Sequence, residues 1–216
     1  MTRMIEIQVT ERYLVPEPPA IEVPAEDGEP LESPWHRAQI NLLIESVQHH
    51  WRKRTDYFIG GNMFLYYSTR QARERSYKGP DFFLVKPTDG QRPRKAWIVW
   101  EEDGRYPNLI VELLSPTTAS ADLGSKKELY ERTFKTPEYF CFDPGTNELK
   151  GWRLGETGYI PIAPDPQGRW WSNELQLSLG PWSGVYQNMP TTWLRLFTSG
   201  GQVVPTAEER AAAAGA

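Results

Sequence analysis

Residues 107–130 read PNLIVELLSPTTASADLGSKKELY, and this stretch decides the fold. Its apolar run at 109–114 predicts a strand that contains one carboxylate, Glu112; a Ser-Pro-Thr turn follows, and then a predicted helix with Lys126 and Lys127. A charge in a strand that should be buried requires compensation, because burying an unpaired charge is costly. A strand, a turn and a helix can return a lysine to the same end of the sheet.

The periodicity of the predicted helix indicates which of the two lysines faces the sheet. At about 100° per residue, Leu123, Tyr130 and Phe134 share one face, which predicts that this face packs on the sheet. Lys126 lies nearer the centre of that face than Lys127 does. Two interpretations stay open: a lysine can lay its stem over apolar surface and keep its ammonium in water, or Lys126 can be the cation that faces the strand carboxylate.

Composition indicates a soluble globular protein with one domain, since 39% of the 216 residues are hydrophobic and 24% are charged. No apolar run approaches the roughly 20 residues that span a bilayer, and the N-terminus lacks the apolar core of a signal peptide, so we expect a cytoplasmic protein without a membrane partner. The single cysteine, Cys141, lies in an apolar run. It offers neither a disulfide framework nor a thiolate metal site and is expected in the core.

The charge pattern is uneven along the chain. A formal net charge of −4 gives no global basic field, which argues against high-affinity, non-specific binding of nucleic acid. Residues 69–79, here called the basic loop, nevertheless carry Arg70, Arg73, Arg75 and Lys78. These four side chains are the candidate nucleic-acid contacts; the alternative is an ordinary solvated surface.

The chain divides into three parts by composition. Residues 1–32 are rich in Pro and Glu and predict an extended N-terminal arm with a strand at 5–9. Residues 33–205 predict a single domain, with its core at about 33–177. Residues 206–216 form an Ala-rich tail, expected as a frayed helix or a disordered end.

The first firm element of the domain is a helix that begins after Ser33, because a serine followed by proline is a helix-start signal. His36 lies on its apolar stripe, whereas Glu45 is predicted to face solvent. The stripe consists of Ile40, Leu43, Ile44, Val47 and Trp51.

Strand patterns fill most of the remaining domain. A strand is predicted at 57–67, with a bend at Gly60 and Gly61. A buried strand is predicted at 82–85, and Asp81 stands directly before it. The other predicted strands cover 97–100 in an inserted hairpin at 91–106, then 136–143, and a C-terminal meander of hairpins at 148–154, 158–162 and 170–177.

Five short motifs occur in an order and spacing that resemble a known family. They are Gly79-Pro80-Asp81, LIVELLSP at 109–116, Asp122 with Lys126 and Tyr130, Pro137-Glu138-Tyr139, and Asp143-Pro144. Together they resemble the Uma-type bacterial endonucleases of the PD-(D/E)xK nuclease superfamily over about residues 33–177. The resemblance implies an α/β (α+β) fold with a restriction-endonuclease-like core, in which a mixed sheet is flanked by helices and a C-terminal antiparallel β meander is added.

One departure from the superfamily pattern concerns the lysine. It usually lies two residues after the second acid, where this chain has Leu114. Uma-type members instead take it from the following helix, and Lys126, four residues before Tyr130, matches that position. Family spacing and helix periodicity therefore select the same lysine. Some superfamily members also use an acid on the first helix; because Glu45 is predicted to point away, His36 is the candidate there.

The resemblance implies hydrolysis of DNA phosphodiester bonds by Asp81, Glu112, Lys126 and His36. Asp81 and Glu112 are the expected ligands of Mg²⁺, or of Mn²⁺ in its place, with the backbone carbonyl of Leu113 as a further ligand. Lys126 would orient or deprotonate the attacking water, or stabilise the charge that grows on the phosphate. Two adjacent carboxylates should raise the pKa of this lysine, which favours electrostatic positioning over general-base action.

Two classes of function stay open. The first is a metal-dependent endodeoxyribonuclease, with DNA as its partner and with a homodimer allowed. The second is a catalytically inactive nuclease-like module with a binding or structural role, which is favoured by the acidic net charge, the single basic loop and the aromatic C-terminal meander.

Overall fold

A computed structural model describes residues 4–8, 12–16, 33–68 and 79–215. Strands β1 (Met4–Gln8) and β2 (Arg12–Pro16) pair as an antiparallel hairpin, and the strand predicted at 5–9 falls on β1. The rest of the predicted arm lies outside the described residues. The chain divides into two compact units, Met1–Leu31 and Glu32–Ala216, and the second unit is described below.

The first helix, α1 (Pro34–His50), begins where the sequence predicts. The Ser33 hydroxyl accepts the backbone N–H of His36 (3.1 Å), which satisfies one of the free donors of the first turn. The predicted apolar stripe packs on the sheet, and Glu45 is exposed as expected. A second face of α1, with Ala38 and Leu42, is also buried.

Within residues 33–68 and 79–161, eight strands follow α1: β3 (Phe58–Gly61), β4 (Leu65–Tyr66), β5 (Phe82–Val85), β6 (Trp97–Ile98), β7 (Leu109–Leu113), β8 (Glu138–Asp143), β9 (Glu148–Leu154) and β10 (Tyr159–Pro161). Six of them form the main sheet in the order β10-β9-β8-β7-β5-β3. The β7–β8 pair is parallel and the other pairs are antiparallel, so the sheet is mixed.

Helix α2 covers residues 119–134 and provides the crossover between the parallel strands β7 and β8. It alternates α-helical and π-helical turns in the order Ala119–Ala121 (α), Asp122–Lys126 (π), Lys127–Leu129 (α) and Tyr130–Phe134 (π). Leu109, Val111 and Leu113 of β7 pack in the core cluster that contains α1, whereas Ile110 packs in the cluster that contains Tyr130 and Phe134 of α2.

Helices therefore cover both faces of the main sheet, and the predicted α/β fold with a flanked mixed sheet is confirmed. In the part of the chain that the structure describes, no helix combines the length and the apolar character needed to cross a bilayer.

The predicted inserted hairpin does not form. Of the strand predicted at 97–100, only Trp97 and Ile98 are extended, as β6, which pairs in parallel with β4. A 3₁₀ turn at Val99–Glu101 follows. Two buried groups explain the difference. Trp97 is fully buried and donates its indole N–H to the Arg105 carbonyl (2.9 Å), and the buried Glu102 carboxylate binds the Arg94 guanidinium (2.7 Å). Both contacts fold the chain back before a second strand can pair.

The C-terminal β region confirms an antiparallel meander but differs from the predicted strands. The strand predicted at 170–177 is divided into β11 (Trp170–Ser172) and the start of β12 (Leu177–Tyr186). The division arises at Glu138, whose buried carboxylate accepts the backbone N–H groups of Asn173 (2.8 Å) and Glu174 (3.2 Å), so the chain turns there.

The sequence analysis did not predict the long hairpin of β12 with β13 (Met189–Phe197). Together with β11 these strands form a separate three-stranded antiparallel sheet. The turn residues Gln187 and Asn188 both have positive φ angles (47° and 62°), as in a two-residue hairpin turn. A glutamine gives little warning of such a turn, because Asn-Gly and Asp-Gly are its usual signals.

The new sheet covers the second buried face of α1. The Gln39 side chain donates to the Leu194 carbonyl (2.9 Å) and accepts the Leu194 backbone N–H (2.8 Å), and all of these groups are buried. Trp193 and Tyr186 pack beside Ala38 and Leu42. Helix α1 is therefore held between two sheets.

The Ala-rich tail contains a helix, α3 (Ala207–Ala214), with a complete capping box formed by Thr206 and Glu209. The Glu209 carboxylate also binds the buried Arg195 guanidinium through two contacts, 2.8 and 2.7 Å. The start of α3 is therefore attached to β13.

We expect Glu209→Gln to lower the free energy of unfolding at pH 7 by about 1 to 2 kcal/mol, because it leaves the buried guanidinium without its anion; one-third exposure of Glu209 keeps the value modest. The hydrogen bond from Arg195 lowers the pKa of Glu209. The stabilisation is thus present above the ordinary glutamate pKa and is lost as pH falls through the lowered value.

Thermal unfolding at pH 7 and at acidic pH measures this effect. Glu208→Gln, which changes an exposed carboxylate in the same turn, is the control. Equal melting temperatures for the two variants would contradict a stabilising role of the Arg195–Glu209 pair.

Candidate active site

Asp81 and Glu112 come together at the ends of two neighbouring strands. Phe82 of β5 lies opposite Val111 of β7, so the antiparallel register places Asp81 opposite Glu112. The backbone N–H of Asp81 points to Glu112 Oε2 (3.3 Å), and the backbone N–H of Leu113 donates to Asp81 Oδ2 (2.7 Å). The two carboxylates predicted from spacing are therefore neighbours in the fold.

The Glu112 carboxylate is almost completely buried, with 1% of the residue exposed. Its Oε1 accepts hydrogen bonds from the Tyr130 hydroxyl (2.8 Å) and the Lys126 ammonium (3.2 Å). Burial, followed by the negative charge of Asp81, raises the pKa of Glu112 to about 8. The ionised form of Glu112 is therefore disfavoured here unless a further positive charge stabilises it.

Lys126, and not Lys127, reaches Glu112. The Lys126 ammonium lies 3.2 Å from Glu112 Oε1 and 2.7 Å from Asp122 Oδ1, whereas the Lys127 ammonium lies over the Trp152 ring, 4.7 Å from its centroid. Helix periodicity and family spacing together selected this lysine. Asp122 pairs with this lysine and does not cap the helix.

The protonation state of Lys126 follows from its neighbours. Burial acts to lower the pKa of Lys126, but the Glu112 and Asp122 carboxylates together outweigh burial and raise the pKa. Lys126 is therefore an ammonium ion in this arrangement. A charged lysine can attract a phosphate or orient a water molecule, but it has no free electron pair with which to accept a proton.

His36 approaches from the opposite helix. Its Nε2 lies 2.8 Å from Asp81 Oδ1, and since an ionised carboxylate only accepts, His36 donates this hydrogen bond. The Ser33 cap fixes the first turn of α1, and this turn carries the histidine to the end of β5. Side chains from α1, α2, β5 and β7 thus meet around two carboxylates.

The sequence analysis treated Tyr130 as a packing residue because it lies on the apolar face of α2. The structure adds a polar contact that packing does not require, its hydroxyl bond to Glu112. The spacing Asp122, Lys126, Tyr130 was a signal for this, since it repeats every four residues.

The structure does not describe the predicted nucleic-acid contacts, because Arg70, Arg73, Arg75 and Lys78 lie outside the described residues. Residues on either side of the basic loop are described. The backbone N–H of Asn62, at the end of β3, donates to the Asp81 carbonyl (3.1 Å). Residues before and after the basic loop therefore lie next to the candidate site.

The local charges suit a divalent cation. Glu112 and Asp122 contact the Lys126 ammonium and Asp81 lies beside Glu112, so three carboxyl groups are grouped around one ammonium. Burial, and after it the charge of Asp81, raises the pKa of Glu112. Among the residues that the structure describes, no three His, Cys, Asp or Glu side chains are grouped to hold a metal. Asp81 and Glu112 provide two carboxylates, and Mg²⁺ is commonly bound by one or two carboxylates with water and phosphate as the other ligands.

Comparisons with known proteins were made on sequence and on structure. Residues 10–186 match the model of the Uma2 family, which is described as "Putative restriction endonuclease". The fold is similar to the crystal structure of "a putative nuclease belonging to DUF820" from Anabaena variabilis, with 11% sequence identity, coverage of 64% of this chain and 75% of that chain, and a TM-score of 0.45. No curated protein matches the chain.

Proposed function

Because the chain belongs to the Uma2 family, we propose that it is a Mg²⁺-dependent endonuclease that hydrolyses phosphodiester bonds in DNA. One observation supports the proposal above the others: Asp81 and Glu112 lie side by side at neighbouring strand ends, and the Lys126 ammonium contacts the second of them. Two carboxylates and a cation are the groups needed to hold a metal ion and to offset charge on a phosphate.

We assign the metal to the carboxylates of Asp81 and Glu112, with the backbone carbonyl of Leu113 as a further ligand. Oε1 of Glu112 already accepts two hydrogen bonds, whereas Oε2 is on the side of Asp81, so Oε2 is the oxygen we assign to the ion. Bound there, Mg²⁺, or Mn²⁺ in its place, would supply Lewis acidity to the phosphate and a more acidic water.

The other side chains have separate roles in this proposal. Lys126 remains an ammonium, so it attracts the phosphate, stabilises the negative charge that grows on it and orients the attacking water. His36 holds the Asp81 carboxylate through Oδ1 and, together with the Leu113 N–H on Oδ2, fixes its orientation. General-base action by Lys126 is not required.

Cleavage of a closed circular plasmid tests the proposal, because a circle has no ends for an exonuclease. We expect nicked or linear products with Mg²⁺ or Mn²⁺ and intact plasmid with EDTA. A protein that binds duplex DNA and leaves it uncut with both metals would instead be the inactive nuclease-like binding module.

We further propose that DNA approaches across the basic loop, which leads directly into Asp81 in the sequence. Charge reversal at Arg70 and Arg73 should weaken DNA binding and reduce its salt dependence, since each lost phosphate contact removes a slope of roughly 0.9 in a log–log plot against salt. Fluorescence anisotropy in EDTA, at several NaCl concentrations, measures both quantities without cleavage. Arg210→Glu, in α3, is the matched control.

Charge reversal at Arg70 and Arg73 that leaves affinity and salt slope at the values of the Arg210→Glu control would contradict a DNA contact. The basic loop would then be a solvated surface.

A further inference from the structure

Three side chains of α2 form one connected group with the Glu112 carboxylate, although the first and the last of them lie eight positions apart. Asp122, Lys126 and Tyr130 are spaced by four, and in a regular α-helix positions eight apart differ by about 80° in direction. The π-helical turns at Asp122–Lys126 and Tyr130–Phe134 have wider hydrogen-bonded rings and take up less rotation per residue. The mixed helix therefore brings Lys126 and Tyr130 to Glu112 and Asp122 to Lys126.

Tyr130 is fixed in place on every side. It is completely buried, and its ring packs against Phe134 and Tyr139, with centroids 5.3 and 5.2 Å apart. Its hydroxyl has one hydrogen to donate, and Glu112 Oε1 accepts it at 2.8 Å. A rigid donor on one oxygen restricts rotation of the carboxylate and keeps Oε2 on the side of Asp81.

Asp122 restricts the position of the Lys126 ammonium, as Tyr130 restricts the Glu112 carboxylate. The aspartate is 1% exposed, its Oδ1 lies 2.7 Å from the Lys126 ammonium, and its backbone carbonyl accepts the Tyr139 hydroxyl (2.8 Å). A lysine side chain has a flexible four-carbon stem, so its ammonium needs a second polar contact to stay in one position. Asp122 supplies that contact from within the same helix.

We propose that Asp122 and Tyr130 are positioning residues of the site, aligned by the π-helical turns of α2: Tyr130 orients the Glu112 carboxylate toward the metal, and Asp122 directs the Lys126 ammonium. This inference rests on the proposed metal-dependent nuclease function. The two residues act on different groups, so their variants have different signatures.

Tyr130→Phe tests the first role, because it removes the hydroxyl and keeps the ring. We expect Mn²⁺ affinity of the protein without DNA to fall about 10- to 100-fold, the range found when an outer partner of a metal ligand is lost. Isothermal titration calorimetry measures it. The control is Tyr159→Phe, which removes a largely buried hydroxyl that donates to the Thr136 carbonyl (2.9 Å) and should leave Mn²⁺ affinity unchanged.

Asp122→Asn tests the second role, because asparagine keeps the shape and removes the charge. We expect kcat for plasmid cleavage to fall about 10- to 100-fold while Mn²⁺ affinity and KM stay within about threefold. Melting temperatures of all variants establish that they are folded. A general loss of structure would lower kcat and metal affinity together and would not give this split.

The outcomes separate the two levels of the proposal. The first case is a wild-type protein that binds Mn²⁺ and cuts DNA. If Tyr130→Phe then binds Mn²⁺ as tightly as Tyr159→Phe does, and Asp122→Asn has the kcat of the wild type, the positioning roles are overturned and the nuclease function stands. If the wild type neither binds Mn²⁺ nor cuts DNA, the proposed function and the positioning roles are overturned together.

Discussion

Asp81→Ala and Glu112→Gln are each expected to lower the Mg²⁺-dependent rate of plasmid cleavage by at least about a hundredfold. Loss of an outer partner of a metal ligand costs about 10- to 100-fold, and these two side chains are assigned as direct ligands, so the loss should be at least as large. Melting temperatures of both variants establish that they are folded, because Glu112 is buried beside Val111 and Leu113 of the core. Cleavage rates with saturating Mg²⁺, together with Mn²⁺ titrations, measure the effect.

Glu112→Gln should also stabilise the metal-free protein. Burial raises the pKa of Glu112 to about 8, so the folded carboxyl binds more protons than the unfolded one and metal-free stability falls as pH rises from about 4.5 to about 8. Glutamine does not titrate. The gain of the variant over the wild type should therefore grow across this window and then level off.

Melting temperatures in EDTA across the same pH range measure this gain, with Glu128→Gln on the exposed face of α2 as the control. Wild-type cleavage rates in both Asp81→Ala and Glu112→Gln would eliminate the assigned metal site. A pH-independent difference in melting temperature between Glu112→Gln and the wild type would contradict the cost assigned to the buried charge.

Replacing the two adjacent lysines should give opposite results. Lys126→Ala is expected to lower turnover by at least about a hundredfold, the effect of removing one group that stabilises transition-state charge, with Mg²⁺ affinity nearly unchanged. Lys127→Ala loses only a contact with the Trp152 ring and should be mild. Lys126→Arg should not restore activity, because a planar guanidinium does not replace a compact ammonium between two carboxylates.

Single-turnover cleavage rates and Mn²⁺ titrations of the three lysine variants provide the measurement. An inactive Lys127→Ala beside an active Lys126→Ala would show that the helix presents the other lysine to substrate. Full activity of both alanine variants, in a protein that cuts DNA, would leave the lysine without a catalytic role.

Local signals explain most of what could be predicted from the sequence. Ser33 and Pro34 mark the start of α1 because capping depends on neighbours in the chain, and the apolar face of α2 follows from helix geometry. Helix periodicity left two interpretations of Lys126 open, and the family spacing decided in favour of its placement beside Glu112.

The features that were not predicted depend on contacts with no local signature. Buried Glu102 and Trp97 turn the chain where a hairpin was predicted. Glu138 divides a predicted strand by binding backbone N–H groups 35 residues or more away. Tyr130 was missed as a polar partner because a tyrosine on an apolar face is usually part of the core. Its hydroxyl partner becomes visible only with the strand and helix in place.

The amide of Gln39 joins α1 to β13 across 155 positions of the chain, so the core predicted at about 33–177 is not independent of the C-terminal sheet. A fragment ending near residue 177 would keep Asp81, Glu112 and Lys126, yet it would expose Leu42 and leave the Gln39 amide without its partner. The helix that supplies His36 would then have one face of apolar surface in water. The C-terminal sheet is therefore part of the same folding unit as α1. Truncation between residue 177 and β13 would remove the packing that holds the helix carrying His36.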